Sequence, residues 1–329
     1  MNPLDHSIIY STPRRLTTSP WIGHVPFGMF IVDLVKPSTL VELGTHSGTS
    51  YCGFCQAVVE RELPTRCYAV DSWQGDPHAE FYGPKILADL RAHHDPLYSS
   101  FSTLLPQTFD EALGQFPDAS IDLLHLDGYH TYHAARHDFV SWLPKLSDGG
   151  VFLVHDIHER QGDFGVWKLW EELKQEYRSF EFLHSHGLGV LAVGRTIPEG
   201  LGVLFERPPE TVRDLFHRLG GRLLAQAELD RLRQDAARDR LNTKRALAKA
   251  ARAKARARRL RRARDAAREE RDALHKRLVT IEGSRGWRLH QSVVRLMARS
   301  RGARGVRKLS ATEGRRGTEE GAPNGAPTS

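Results

Sequence analysis

Eight residues carry the chemistry legible in this chain, in two groups. In the first, Glu42, Gly44 and Gly48 form a Glu-x-Gly-x-x-x-Gly turn within VELGTHSGTS, and Asp71 closes the next apolar run, RCYAVDS. A tight glycine turn between a strand and a helix lets a ligand approach the backbone, and the helix N-terminus offers free amide donors. The spacing is not that of a phosphate cradle, G-x-G-x-x-G or G-K-[ST], and Glu42 would repel a phosphate. It suits a ligand with a cationic amino-acid portion. An acid at the end of the second strand accepts hydrogen bonds from both hydroxyls of a ribose. The turn alone fits an ordinary strand-to-helix connection; with Asp71 it points to an adenosyl ligand without a pyrophosphate.

The second group lies in LHLDGYHTYHAARHDF and GVFLVHDI. Asp127 closes one strand, His130 follows on the loop, and His155-Asp156 close another strand. In a parallel sheet these ends share the rim where ligands sit. Two carboxylates and an imidazole, Asp127, His155 and Asp156, suit a divalent cation with positions left for substrate oxygens. His130 titrates near neutral pH and is placed to take a proton from a hydroxyl, with Asp127 beside it. The same residues also fit a structural reading, with Asp127 capping the next helix and His155 as a satisfied core imidazole. His78 lies in the loop after the second strand, near the same rim.

The elements that must position these groups follow from periodicity. Apolar runs at 39–45, 66–72, 121–128 and 150–157 read as buried strands, with a weaker one near 101–105. Helical patterns fill 49–63, 84–93, 132–146 and 165–177. This alternation predicts a parallel sheet with helices on both faces. The runs FEFLHS and LGVLAVG are separated only by His186 and Gly187, too short for a crossover helix, so they form an antiparallel hairpin. The expected organisation is an N-terminal extension (1–35), a catalytic domain (36–197), a linker (198–221), a long charged helix or weak coiled coil (222–282), a basic amphipathic segment (283–309) and a disordered tail (310–329).

The chain has 329 residues and a net charge of +7, unevenly spread. Residues 222–308 hold 28 Lys and Arg against 9 Asp and Glu, whereas residues 1–221 hold 17 against 28. An acidic globular part therefore carries a basic arm. No apolar run reaches the ~18 residues of a membrane helix, and no signal pattern opens the chain. The three cysteines, Cys52, Cys55 and Cys67, cannot make a disulfide framework. The Cys52-x-x-Cys55 pair lacks partners for a zinc site and reads as buried structure. A cytoplasmic location is expected, with peripheral attachment at the inner membrane face through the arm.

Residues from about 35 to 195 resemble the class I S-adenosylmethionine-dependent methyltransferases. The particular branch is that of sugar and small-molecule O-methyltransferases related to macrolide-sugar methyltransferases and cephalosporin-hydroxylase-like proteins. VELGTHSGTS matches the first glycine motif, AVDSWQGDPHAEFYG a loop of this branch, and the stretch from IDLLHLDGYH to GGVFLVHDI its metal and base region. The resemblance implies an α/β fold, a Rossmann-like seven-stranded sheet of order 3-2-1-4-5-7-6 with an antiparallel last strand. It implies that Glu42, Gly44, Gly48 and Asp71 hold S-adenosylmethionine. It also implies that Asp127, His155 and Asp156 hold Mg²⁺ or Mn²⁺, and that His130 is the base. The chain departs from its relatives at His155, where they often carry an acid. A looser similarity links GSRGWRLHQSVVRL to segments that follow coiled coils in bacterial surface-polysaccharide enzymes.

The expected activity is therefore metal-assisted O-methylation of a sugar or surface-glycan hydroxyl. The arm would meet a membrane surface, a glycosyltransferase partner or a second copy of the chain. A nucleic-acid methyltransferase is disfavoured, because residues 222–281 contain no Phe, Tyr or Trp to stack on bases. Two further readings are a hydroxylase-like enzyme and a non-enzymatic scaffold of polysaccharide assembly.

Overall fold

The computed structural model describes residues 2–78 and 80–302. Five apolar runs form parallel strands of one sheet: β1 (Thr39–Leu43), β2 (Arg66–Asp71), β3 (Ser102–Pro106), β4 (Ile121–Leu126) and β5 (Leu146–His155). β6 (Arg178–Phe182) and β7 (Leu188–Ala192) complete it, in the order β3-β2-β1-β4-β5-β7-β6. β7 runs antiparallel to both β5 and β6, so the sheet is the seven-stranded one expected, with its last strand reversed.

Helices α1 (Val25–Val35), α2 (Thr49–Glu60), α3 (Lys85–Tyr98), α4 (Phe109–Leu113), α5 (Tyr132–Trp142), α6 (Val166–Glu176) and the short α7 (Gly202–Phe205) surround it. Strand side chains alternate between two cores, as a pleated backbone requires. Leu123, Val151 and Leu153 pack with α1 and α2, while Leu124, Phe152 and Val154 pack with α5 and α6. Cys52, Cys55 and Cys67 are free thiols buried in the first core. Because β1 to β5 are parallel, Leu43, Asp71, Leu126 and His155 all end on one rim.

Two expected boundaries are corrected. Residues 2–35 are not an appended extension. α1 is buried along ten of its eleven residues, and Asp33, itself buried, accepts from His6 Nδ1 and Arg61 Nε at 2.7 Å each. Residues 198–221 are not a linker either. They hold α7 and the start of α8 (Pro209–Gly283), where Val212, Phe216 and Gly220 are buried. Phe216 lies 5.3, 5.1 and 5.9 Å from the rings of Phe27, Phe30 and Phe182. Pro208, Pro209, Gly220 and Gly221 look like loop punctuation, but Val212, Phe216 and Gly220 form an i, i+4, i+8 stripe on one helix face.

The chain divides into two units at Ala237/Arg238, within α8. In the second unit the rest of α8 ends at Gly283, and α9 (Arg285–Gly302) follows. Ser284 separates them; its Oγ accepts from the Trp287 amide at 3.2 Å and donates to the Ile281 carbonyl. Every residue from 231 to 299 is exposed. No described helix is long and apolar enough to cross a membrane. Residues 303–309 of the basic segment and the tail expected at 310–329 lie outside the described residues.

Candidate active site

The turn after β1 is shaped by its neighbours. Gly44 has φ +87°, and a Cβ there would lie 2.0 Å from the Asp127 carbonyl oxygen. The glycine is therefore demanded by the backbone at the end of β4. The Asp127 amide donates to the Leu43 carbonyl (2.8 Å), and the Gly44 amide to the Val70 carbonyl (2.9 Å). Asp71 adds a third hold. Its Oδ2 accepts from the amides of Thr45 (2.9 Å) and His46 (2.7 Å), and its Oδ1 from the Trp73 amide (2.6 Å). A carboxylate offers about four acceptor positions, so three are spent on main chain. Asp71 faces the cavity described below, where the Tyr82 hydroxyl also bonds it, so ribose hydroxyls would share the carboxylate with these donors.

Glu42 and Gly48 are placed differently from expectation. Gly48 caps α2 at φ +79°, and a Cβ there would strike Leu90 Cδ1 at 2.5 Å. It serves the packing of α2 on α3. Glu42 is fully buried and bonds His125 Nδ1 at 2.9 Å, while the Trp21 indole donates to His125 Nε2 at 3.1 Å. The indole N–H can only donate, so His125 carries its proton at Nδ1 and gives it to Glu42. Burial pushes the Glu42 pKa up, against the His125 bond. Neither residue lines the cavity.

On the other half of the rim, imidazoles surround two carboxylates. His130 Nε2 lies 2.9 Å from Asp156 Oδ2 and 3.5 Å from Asp127 Oδ1. His155 Nδ1 lies 3.2 Å from Asp127 Oδ1 and 3.4 Å from Asp156 Oδ2. His186 Nδ1 reaches Asp156 Oδ1 at 3.1 Å. His155 Nε2 faces the Ser185 carbonyl at 3.1 Å, so with no cation between the carboxylates both its nitrogens meet acceptors and the ring is protonated. Burial opposes that charge, but Asp156 and Asp127 outweigh it and raise the pKa well above the usual imidazole range. The same contest at His130 ends with a pKa pushed up to about 10. Burial works against ionisation of Asp127 and Asp156 too, yet the neighbouring imidazoles hold both well below the usual carboxylate range.

Strained backbone aims this cluster. Asp156 has φ +60°, and Ser185, His186 and Gly187 have φ +51°, +68° and +86° in succession. That run presents the Ser185 carbonyl to His155 and the His186 ring to Asp156. Such conformations cost about 1–3 kcal/mol each for non-glycine residues and persist only where surroundings enforce them. The His130 ring stacks on Phe164 (4.9 Å, 10°), which stacks on His78 (4.4 Å, 15°). His78 Nε2 is held by Asp163 at 2.6 Å.

The residues fit a divalent cation. One oxygen each from Asp127 and Asp156 and Nε2 of His130 all lie within 4.8 Å of one another. His155, expected as the third ligand, stands outside that group, but its remaining N–H is already held by a carbonyl, as ligating imidazoles require. His130 Nδ1 is buried without a partner. A cavity of about 210 Å³ joins the two halves of the rim, with Gly44, Asp71, Asp76, Tyr82, Asp127 and His130 in its wall. Three of these are carboxylates, and no Lys or Arg lines it among the described residues. Tyr82 sits edge-on to His46 (4.7 Å), and burial with the Asp71 and Asp76 charges raises its hydroxyl pKa well above normal. Tyr82, His186 and the Ser185 carbonyl were not singled out by residue type or spacing. A carbonyl leaves no trace in side-chain identity, and an excess of histidines hides the one that matters.

Residues 41–157 match the family model described as a methyltransferase domain. The uncharacterized protein y4gI of Sinorhizobium fredii is 49% identical over 195 residues, covering 59% of this chain and 21% of that protein. The chain thus spans about a fifth of the length of this curated relative. Among solved structures, the O-methyltransferase TomG of Streptomyces achromogenes, in complex with SAM, is 13% identical, with TM-score 0.41 over 56% of this chain and 84% of that one. The SAH-bound methyltransferase PaMTH1 of Podospora anserina is 17% identical, with TM-score 0.39 over 51% and 76%.

Proposed function

We propose that residues 36–197 carry an S-adenosylmethionine-dependent O-methyltransferase whose acceptor is a sugar or glycan hydroxyl, assisted by Mg²⁺ or Mn²⁺. The observation that carries this reading is the cavity itself: three carboxylates, aromatic rings and, among the described residues, no Lys or Arg, opening directly onto Asp127 and His130. Such a wall disfavours phosphate-rich ligands and suits one bearing a sulfonium and an ammonium. The methyltransferase-domain match over the same strands supports it, and the resemblance of the loop and rim motifs to sugar O-methyltransferases supports the acceptor class.

Asp127 and Asp156, with His155 Nδ1, are assigned to the cation, which when bound lowers the pKa of an acceptor hydroxyl. Ser185 fixes His155 so that Nδ1 faces both carboxylates. In its neutral form His130 keeps its proton at Nε2, where Asp156 accepts it, and its partnerless Nδ1 takes the hydroxyl proton. The pull of Asp127 and Asp156 holds His130 protonated, so any neutralisation of those carboxylates frees the ring to act as a base. Gly44 and Asp71 set the cofactor side. Holding both reactants against one rim supplies much of the rate.

Calorimetric titration with S-adenosylmethionine, followed by transfer of labelled methyl to a panel of sugars with and without chelator, tests the reading. Saturable cofactor binding and chelator-sensitive transfer are expected. Absence of cofactor binding would overturn the enzyme assignment. Full transfer in excess chelator would overturn the metal. His155→Ala should weaken Mn²⁺ binding more than His130→Ala; the reverse makes His130 the ligand.

A further inference from the structure

The second unit presents an unusual surface. Between Arg240 and Arg264, twelve of twenty-five residues are Lys or Arg and none is acidic. α9 then adds Arg285, Arg288, Arg295 and Arg299, again with no acid. At about 100° per residue, Leu296, Leu289, Val293, Val294 and Trp287 fall within one arc of about 180°. Arg288, Arg295 and Arg299, with Gln291 and Ser292, occupy the opposite side. The apolar residues are open to solvent, Leu289 at 71% and Leu296 at 73%. His290 lies within the arc, its ring 5.8 Å from that of Trp287.

We propose that α9 is an interfacial helix that lies in the plane of an anionic lipid bilayer. Its Leu, Val and Trp face enters the boundary between headgroups and acyl chains, and its arginines stay at the headgroups. Two observations select this occupant. A polyanion such as DNA needs only the cations and gains nothing from a half-circumference of aliphatic surface, and the basic stretch offers no ring to stack on bases. A paired coil needs a narrow seam of two positions in seven, and this face is about twice as wide. A bilayer uses both halves: the wide apolar face for insertion and the cations for attraction to anionic lipid. The run 240–264 adds to that attraction only where it comes within the Debye length of the surface, about 8 Å at physiological salt.

The test is flotation of the full chain with two kinds of vesicle, phosphatidylcholine alone and phosphatidylcholine mixed with phosphatidylglycerol. The chain should float with the mixed vesicles, bind the neutral ones at least tenfold more weakly, and lose binding as salt rises. The double variant Trp287→Ser/Val294→Ser, which keeps every charge, should lower partitioning at least tenfold. Trp287→Phe/Val294→Leu should restore it. Cofactor binding, measured in parallel, should be unchanged in both. The proposal fails if the chain does not float with mixed vesicles, or if the serine variant floats like the parent. A concentration-dependent dimer abolished by the serine variant, without vesicle binding, would assign the face to a second copy.

Discussion

The two halves of the rim satisfy their carboxylates in opposite ways. At the β1–β2 half, Asp71 is held by three main-chain amides, donors that neither titrate nor move away. At the β4–β5 half, Asp127 and Asp156 are held by imidazoles, donors that can lose a proton or yield to a cation. The difference separates a shape-holding carboxylate from an exchangeable one, although both kinds of acid end a strand of the same sheet. It teaches that a rim acid's role is set by what donates to it, not by its position on the strand.

The sharpest way to break this contrast is to remove charge from each half in turn. Asp127→Asn should lower turnover by at least ~10³-fold while S-adenosylmethionine still binds, because charge at the reacting centre is lost. His130→Ala should lower turnover by ~10²–10⁴ with the cofactor dissociation constant unchanged. A rise in KM alone would make His130 an acceptor contact. Asp71→Ala should do the reverse, weakening cofactor affinity about tenfold and stability by about 1–3 kcal/mol, since buried amides lose a charged acceptor. Equal loss of kcat in both Asp variants, with affinity untouched, would erase the distinction.

A smaller effect sharpens the contrast through pH. The folded-state pKa of His130 is raised to about 10, whereas an unfolded imidazole titrates near 6.5. Between those values the native state holds more protons than the unfolded one, so stability falls as pH rises through this window. Metal-free protein should therefore show a thermal midpoint that declines from about pH 6.5 to about pH 10. Added Mn²⁺ should stabilise more at pH 9 than at pH 6, because His155, its pKa also raised by the two carboxylates, must give up its Nδ1 proton to hold the cation. At the acid end, Asp127 and Asp156 have depressed pKa values, so their contribution is lost as pH falls below about 4. His130→Ala should flatten the alkaline slope. An unchanged slope would show that another group, such as His155 with its pKa raised by the same two carboxylates, governs it.

The sheet was legible because each strand is an apolar run ending in acids or glycine, and the short gap after FEFLHS forbade a crossover. The site was legible as a set of rim residues and less so as a set of roles. Asp71 was legible as a rim acid, but the three amides that hold it are main chain, which no side-chain pattern reports. His155 looked ready to coordinate, and the Ser185 carbonyl that orients it depends on three left-handed residues in a row. The hairpin loop also proved longer than the two residues expected, spanning 183–187, for the same reason. Residues 2–35 looked separable because their partners lie far along the chain.

One of those partnerships has a practical consequence for anyone dissecting this protein. Trp21 and His125 are 104 positions apart, and their bond continues to Glu42 through the centre of the sheet. The family match begins at residue 41, which invites excision there. A fragment cut at that point would keep His125 and Glu42 but strip away the indole that caps them. It would also lose α1 and the first two residues of β1, opening to solvent the face of the sheet on which Leu123, Val151 and Leu153 pack. Recombinant pieces should therefore begin upstream of Trp21, and a soluble, cofactor-binding fragment starting at residue 41 would show that the sheet tolerates an open end there.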